Sequence, residues 1–532
     1  MGILNPPASG VTVRMYRQGL GDCFLLAFPT EEAGRAYYML IDCGVMLRTS
    51  DENEIMTHVA KDIVDATGGD VHLLVVTARH WDHLSGFIQA RDIFESMRIH
   101  NLWLAWTENQ DDPLASTLGG ELQQDLTTLR MAVNRAPDPA SVQHITNLVE
   151  LHGSLNGTAS PDNGSDGAGM GNTEDALQAL LAFANKMQST LQYRYPNKDA
   201  PLPLASGNGL PNVPGVRLYV LGPPYDETSL KNINSTAQGD KTNGVPSSGS
   251  ALTAASALRI ATLDKNQLSP QDLKNQLSPE DRQLRKLSYP FPKNPTVIIP
   301  REQAEEYNFF QQHYGFSDAS NVSSGANSTS GVQGPAFQRD DLSWRRIDDH
   351  WVRSGEALAL QVNKYTNNTS LALAIELVNS QKVLMFVSDA LIGNWLSWDD
   401  LSWSITDATG SPKTIGIGDL LARTVLYKVS HHGSLNGTLR GSSLVPKGLE
   451  LMTSRDLVAM ISVDQQEARK RGWGQMPSVA LLQRLNVKTQ GLVLRSDAPL
   501  SQKPDAIDDV TWQAFQANYQ VTDLYVQYTV TE

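Results

Sequence analysis

The chain contains only two cysteines in 532 residues, Cys23 and Cys43, too few for the disulfide framework that staples small secreted domains. Both lie in apolar stretches that read as neighbouring strands, so they are expected to be small buried hydrophobes rather than metal or redox groups. Long hydrophobic runs are missing as well, since no stretch reaches the roughly eighteen uninterrupted apolar residues of a membrane span. The start, Met1-Gly2-Ile3-Leu4-Asn5-Pro6-Pro7, offers neither the basic nor the apolar segment of an export signal. Pro6 stands where a myristoylation signal carries Ser or Thr, which argues against a lipid anchor on Gly2. A soluble, cytoplasmic chain without membrane contact is the expectation. Positive charge is also in deficit: 43 Lys and Arg face 57 Asp and Glu, a net charge of −14. Such a surface repels polymeric nucleic acid at long range unless a local basic groove intervenes.

What the sequence does hold is a series of short apolar runs that stop on chemically active residues. Val11 to Met15, Cys23 to Phe28 and Tyr37 to Ile41 read as strands. The Gly19-Leu20-Gly21-Asp22 turn precedes the second of them, and Asp42-Cys43-Gly44 closes the third. Val71 to Val76 has the near-continuous apolar character of a strand buried on both faces, and it runs into Thr77-Ala78-Arg79-His80-Trp81-Asp82-His83. Further strands are expected at Val216 to Leu221, Ser370 to Val378, Val383 to Val387, Thr424 to Val429, Val458 to Val463 and Leu524 to Val530. Helical character falls at Glu54 to Ala66, Glu121 to Val133, Thr173 to Met187 and Ser478 to Leu485. The Gly/Ser/Asn/Asp-rich tract from Gly153 to Asn172 reads as a loop. The Ser/Asn/Gln/Pro/Gly-rich stretch 227–342, with Asn-Gln-Leu-Ser-Pro at 266–270 and again at 275–279, reads as an insertion of loops and short helices. The resulting plan is a core in three pieces, 1–105, 214–226 and 343–532, interrupted by insertions at 106–213 and 227–342.

Four of the eleven histidines, His80, His83, His431 and His432, fall in two tight groups just after expected buried strands, and one group also contains Asp82. Residues bunched past the carboxyl ends of strands occupy the place where open α/β sheets put their chemistry. Imidazole nitrogen combined with carboxylate oxygen suits Zn²⁺, Mn²⁺ or Fe, and Asp389, at the end of another strand, has two oxygens with which to bridge two ions. The bland alternatives are a helix start capped by Asp82, an Asx-turn at Asp389 and a surface-exposed histidine pair. Trp395, Trp398 and Trp403 are expected to pack as core rather than to form a stacking platform, and His72 and His100 to be satisfied core or edge histidines. The seven residues His152 to Thr158 repeat His432 to Thr438 letter for letter; without a preceding buried strand, the first copy reads as a coincidence of composition.

In order along the chain, these residues resemble the metallo-β-lactamase superfamily, and within it the ComEC-type branch of DNA-uptake proteins. Gln18-Gly19-Leu20-Gly21-Asp22 is similar to the branch's Gly-Gln-Gly-Asp turn with one residue added, and Leu40 to Gly44 to its Leu-Ile-Asp-Thr-Gly. Thr77 to Gly86 resembles the superfamily's His-x-His-x-Asp-His motif followed by Leu-x-Gly. Asn367 to Leu371, Ser388 to Ala390, Lys428 to Ser434 and Gly474 to Ser478 are similar to later motifs. The resemblance covers roughly 11–105, 214–226 and 358–490, and it implies an α/β fold of the αββα sandwich kind with large insertions.

The resemblance also implies a metal centre of one or two Zn²⁺ ions, or Mn²⁺, with His80, Asp82, His83, Asp389 and His431 as ligands. His431 is preferred to His432 because it comes first after its strand, which leaves His432 facing substrate. Asp82, His80 and His432 are the catalytic candidates; Asn368, Ser370 and Lys428 are the substrate contacts. Arg79 and Arg440 also flank the motifs, although each alone reads as an ordinary solvated charge. One departure stands out: the first His of the superfamily motif is Ala78, whose methyl group cannot bind metal, so a single ion held by Asp82, His83, Asp389 and one of the paired histidines is expected, with His80 holding a weak second ion or donating a proton. The function so implied is a phosphodiesterase or nuclease that uses a metal-activated water on a phosphoester or nucleic-acid substrate. The alternatives are a hydrolase of small esters, lactones or amides, and a metal-poor binding or assembly module that contacts a protein partner through its insertions.

Overall fold

The computed structural model describes residues 2–135, 142–153, 171–196, 201–204, 210–231, 350–406, 410–441 and 444–532. The chain divides into two units, Met1–Gly249 with Glu356–Glu532, and Ser250–Gly355. All the strands described belong to the first. Of the expected insertion 227–342, everything after Lys231 lies outside the described residues, as does 154–170 of the expected Gly153 to Asn172 loop.

Seventeen strands are formed among the described residues: β1 (Gly10–Tyr16), β2 (Phe24–Pro29), β3 (Ala36–Ile41), β4 (Asp70–Val75), β5 (Arg98–Ala105), β6 (Thr190–Arg194), β7 (Leu202–Pro203), β8 (Val216–Gly222), β9 (Ala372–Leu377), β10 (Lys382–Phe386), β11 (Ser402–Thr406), β12 (Pro412–Gly416), β13 (Thr424–Lys428), β14 (Val458–Ile461), β15 (Val493–Arg495), β16 (Tyr519–Val521) and β17 (Tyr525–Thr531). One sheet runs β16-β17-β1-β2-β3-β4-β5-β6, a second runs β15-β14-β13-β10-β9-β8-β7, and β11 and β12 make a separate hairpin. In the first sheet β3 to β6 are parallel, and in the second β10, β13, β14 and β15 are parallel. The remaining pairings, β16-β17-β1-β2-β3 in the first sheet and β10-β9-β8-β7 in the second, are antiparallel. Residues expected to be insertion, 106–213, contribute strand β6 to the edge of the first sheet and strand β7 to the edge of the second.

Alternation along the strands sets the layers. Phe24, Leu26 and Phe28 of β2 share one core with Leu218 and Val220 of β8, Leu373 and Ile375 of β9, and Leu384 and Phe386 of β10. Phe24 and Phe386 meet edge to face at 5.6 Å across that core. The opposite residues, Leu25 and Ala27, pack on the helices Glu52–Thr67 and Thr173–Lys186. On the far side of the second sheet Tyr219, Met385 and Tyr427 pack with Trp395, Trp398, Trp403, Leu481 and Leu485. The protein is therefore α/β, with two sheets face to face and helices on both outer faces. The three tryptophans are core residues, as are Cys23 and Cys43. No described helix is long and apolar enough to cross a membrane.

His72, in β4, shows how tightly this scaffold holds a titratable group. Its ring is stacked between Tyr37, at 4.8 Å, and His100, at 5.6 Å, and its Nδ1 accepts the Tyr38 backbone N–H at 3.0 Å. Burial depresses the imidazole to about 4 from 6.5. The folded protein thus keeps His72 neutral where the unfolded chain would protonate it, so stability is full above about 6.5 and is lost as pH falls towards about 4. His72→Asn retains an acceptor near Nδ1 that does not titrate. Urea unfolding across this pH range should give a shallower acid loss for the variant than for the parent; identical slopes would contradict the assignment.

Candidate metal centre

Four turns converge at the carboxyl ends of parallel strands from both sheets: Asp42 after β3, 77–83 after β4, Ser388-Asp389 after β10 and Ser430 to His432 after β13. The turn after β4 becomes the short helix Trp81–Leu84, with His80 at its N-cap and no side chain capping it. Asp82 is therefore not a helix cap and is available to the site. Of the nine described non-glycine residues with positive φ, four are here: Asp42, Ser388, His431 and His432. Side chains in this left-handed region cost energy, and their concentration at one point marks turns bent to aim ligands.

Asp82, His83, Asp389 and His432 are all buried, and one ligand atom from each lies within 4.8 Å of the others. Both imidazoles are anchored from outside. Asp42 accepts the Thr77 backbone N–H at 2.7 Å and also the Thr77 hydroxyl, and it lies 2.9 Å from His83 Nδ1. That contact turns His83 Nε2 towards Asp389 Oδ2, at 3.2 Å. His432 Nδ1 donates to the Ser462 carbonyl at 2.8 Å, leaving Nε2 at 2.9 Å from Asp82 Oδ2. Histidines fixed through one nitrogen so that the other faces carboxylates have the form of metal ligands with an oriented outer layer.

Charge points the same way. Burial alone would lower the His83 and His432 imidazoles, but the Asp389 carboxylate, with Asp42 and Asp82 about His83 and with Asp82 and Asp22 about His432, outweighs it and raises both. Asp82 and Asp389 would likewise rise through burial, yet the His83 and His432 charges hold Asp82 at about 2 and Asp389 well below the usual carboxylate range. The site thus demands cationic partners. Asp82 Oδ1 and Asp389 Oδ1 are buried without a hydrogen-bond partner, a costly arrangement for carboxylate oxygens that a cation between them would relieve. Two imidazole nitrogens and two carboxylates fit a four-coordinate divalent ion such as Zn²⁺.

The expected order of the paired histidines is reversed. His432 is the one that reaches Asp82 and, at 3.7 Å, Asp389. His431 faces a neighbouring cavity instead, its Nδ1 2.7 Å from Ser434 Oγ and its Nε2 3.5 Å from Asn367 Nδ2. Sequence proximity to the strand misjudged this because successive left-handed residues swing the second side chain inward. Burial lowers His431 to about 4, so it is neutral. His80 stands beside the four rather than among them. Its Nε2 is 2.8 Å from Thr366 Oγ1, whose hydrogen goes to the Val362 and Asn363 carbonyls. His80 Nδ1 is thereby left towards Asp389 Oδ2 at 3.4 Å.

The three expected substrate contacts are all packed into the interior. Asn368 is wholly buried, donating to the Leu230 carbonyl at 3.0 Å and accepting the Asn394 backbone N–H at 3.1 Å, so it clamps the chain. Ser370 is buried, and its carbonyl accepts from Asn394 Nδ2 at 2.8 Å. Lys428 is buried against Asp22 and donates to the Ser388 carbonyl at 3.1 Å, a position from which it braces the turn that carries Asp389. Arg79 pairs with Glu108 and Glu174, and Arg440 is exposed.

His152, set aside in the sequence, belongs to the site's surroundings. It is buried, its ring is 5.4 Å from that of His80 and perpendicular to it, and its Nε2 is 3.2 Å from Asn363 Oδ1. Burial, then His80, holds it well below its usual range. The repeat shared with His432 was the available signal. Asp22 and Asp42 were legible only as motif letters, and Ser462 only as part of the expected strand Val458 to Val463; what they do is orient the ligands.

Gly44 shows how the turns are fitted. Its N–H donates to the Asp22 carbonyl at 3.0 Å, while Asp22 N–H donates to Asp82 O at 3.0 Å and Cys43 N–H to His83 O at 3.0 Å. A Cβ on Gly44 would lie 2.4 Å from Asp82 C and 2.5 Å from His83 N, backbone atoms that cannot rotate away. Gly44→Ala should therefore move both ligands and weaken metal affinity at least about tenfold, within the range of outer-layer substitutions. Competition titration with a chromogenic chelator reads this directly; unchanged affinity would contradict it.

Compared with known proteins, the chain matches no family model and no curated protein.

Proposed function

We propose that this chain is a metal-dependent hydrolase of the metallo-β-lactamase type, cleaving phosphoesters. The observation that carries the reading is the pair of unpartnered buried carboxylate oxygens, Asp82 Oδ1 and Asp389 Oδ1, set among inward-facing His83 and His432 nitrogens beside an accessible cavity. The helix, sheet, sheet, helix layering and the ordered motifs support the same family reading. When bound, a divalent ion supplies Lewis acidity towards an ester oxygen and lowers the pKa of a coordinated water.

The chain's own residues define the rest. Asp82, His83, Asp389 and His432 hold the ion, while Asp42, Ser462 and Thr77 fix their orientation. His80, tied through Nε2 to Thr366, keeps Nδ1 beside Asp389, where it can hold a proton taken from the reacting centre or return one to a departing oxygen. His431 donates from Nδ1 to Ser434 Oγ, whose hydrogen goes to Asn436 Oδ1 at 3.0 Å. Its Nε2 is thus an acceptor on the cavity side. With both imidazoles fixed, a substrate oxygen entering from the cavity meets oriented groups rather than bulk water.

Incubation of the Zn²⁺- and Mn²⁺-loaded chain with bis-p-nitrophenyl phosphate, single- and double-stranded DNA, RNA and p-nitrophenyl acetate tests the reading. Phosphoester turnover that chelation abolishes and metal restores is the expected result. Turnover of the carboxylic ester alone would move the chain to the acyl branch, and no turnover with metal bound would refute the reading.

A further inference from the structure

Beside the candidate centre lies a cavity of about 590 Å³, within the range that takes a small-molecule ligand. His431 and Asn367, which contact each other at 3.5 Å, form its wall towards the metal ligands. The remaining wall is largely apolar: Leu148, Leu151, Leu360, Leu435, Trp473 and Met476. Its one cationic lining residue is Lys364. Of the other basic residues near the motifs, Lys428 is committed to Asp22 and Arg79 to Glu108 and Glu174, while the exposed Arg440 does not line the cavity. Arg471, close in sequence to Trp473, is buried against Glu150 and Glu467.

A polymeric nucleic acid requires several cations spaced along its backbone, because phosphate contacts dominate its affinity. This cavity provides the opposite: a polar end at His431 and Asn367, and a mostly hydrocarbon-lined body in which Lys364 is the single cation among the lining residues. We infer that the substrate is a small phosphoester with one apolar alkyl or aryl group, its anionic head at the metal centre and its hydrocarbon against Leu151, Leu360, Leu435 and Trp473. This inference rests on the hydrolytic reading for the position of the head group, while the apolar selectivity rests on the cavity alone. Leu435, 39% exposed, and the partly exposed Trp473 would form the part of the wall open to an entering chain.

The test is calorimetric binding of alkylphosphonates, which keep the anionic head and carry the alkyl group on a P–C bond that resists hydrolysis, to the Zn²⁺-loaded chain. From methyl through butyl to hexyl, affinity is expected to rise about fourfold per methylene until the cavity is filled, the increment for burying such groups. Leu435→Glu places a charge in the wall at a site exposed enough to spare folding, and it should cut hexyl affinity at least tenfold more than methyl affinity. Equal affinity for all chain lengths, or a length dependence indifferent to both Leu435→Glu and Trp473→Ala, would overturn the inference. Displacement of the hexyl probe by an oligonucleotide at matching concentration would overturn it too. The two readings fail separately: a chain-length gradient with no ester hydrolysed leaves the apolar site standing and removes the hydrolase, whereas phosphoester turnover with a flat gradient does the reverse.

Discussion

Asp389→Asn is expected to lower Zn²⁺ affinity at least about 100-fold, beyond what loss of an outer-layer partner costs, and to abolish metal-dependent hydrolysis. Asn keeps the volume and loses the charge, which bears on both imidazoles: Asp389 Oδ2 is 3.2 Å from His83 Nε2 and 3.4 Å from His80 Nδ1, and Oδ1 is 3.7 Å from His432 Nε2. No other described group touches all three histidines. The effect should be separable from misfolding. Metal added in excess stabilises the folded chain according to its affinity, so the parent's melting temperature should rise on loading while that of the variant stays nearly fixed. A variant that binds Zn²⁺ as tightly as the parent would remove Asp389 from the centre.

Lys428→Met should be the most destabilising single change away from the ligands, by about 3–5 kcal/mol. Lys428 and Asp22 are each 1% exposed, and Lys428 also donates to the Ser388 carbonyl at 3.1 Å. Removing the ammonium leaves the Asp22 carboxylate buried near Asp42, with the Ser462 hydroxyl, His432 Nδ1 at 3.5 Å and His83 Nδ1 at 3.9 Å about it. The double variant Asp22→Asn with Lys428→Met removes the stranded charge and should recover much of the loss. Denaturant unfolding of the single and double variants measures the coupling. Additive losses would mean that the two residues do not act as a pair.

The fold was legible wherever an apolar run ended on a turn. Ser370 to Val378, Val383 to Val387 and Thr424 to Val429 became β9, β10 and β13 within two residues at each end, because strands buried on both faces leave an unbroken hydrophobic trace. Strand β6 was missed for the opposite reason: Thr190–Arg194 is an edge strand with half-exposed residues and little apolar signal. At the site, the concentration of His80, Asp82, His83, Asp389 and the His431-His432 pair was visible in the sequence. The aim of each side chain was not, since it depends on φ at single residues. His432 rather than His431 turns inward because both residues adopt positive φ, at 50° and 49° respectively. Lys428 illustrates a second limit. Read by charge alone it is a substrate contact, and only tertiary packing against Asp22, 406 positions earlier in the numbering (428 − 22), makes it a brace. His152 failed because its partner, His80, is remote in sequence and its own surroundings carry no strand signal.

The central claim is that Asp82, His83, Asp389 and His432 hold one divalent ion. Anomalous diffraction at the zinc edge, from crystals of the full chain grown with Zn²⁺, tests it most directly. The expected result is a peak about 2 Å from both His83 Nε2 and His432 Nε2 and from an oxygen of each carboxylate, the usual distances for zinc with such ligands. A crystal with zinc bound elsewhere and no peak among these four residues would contradict it.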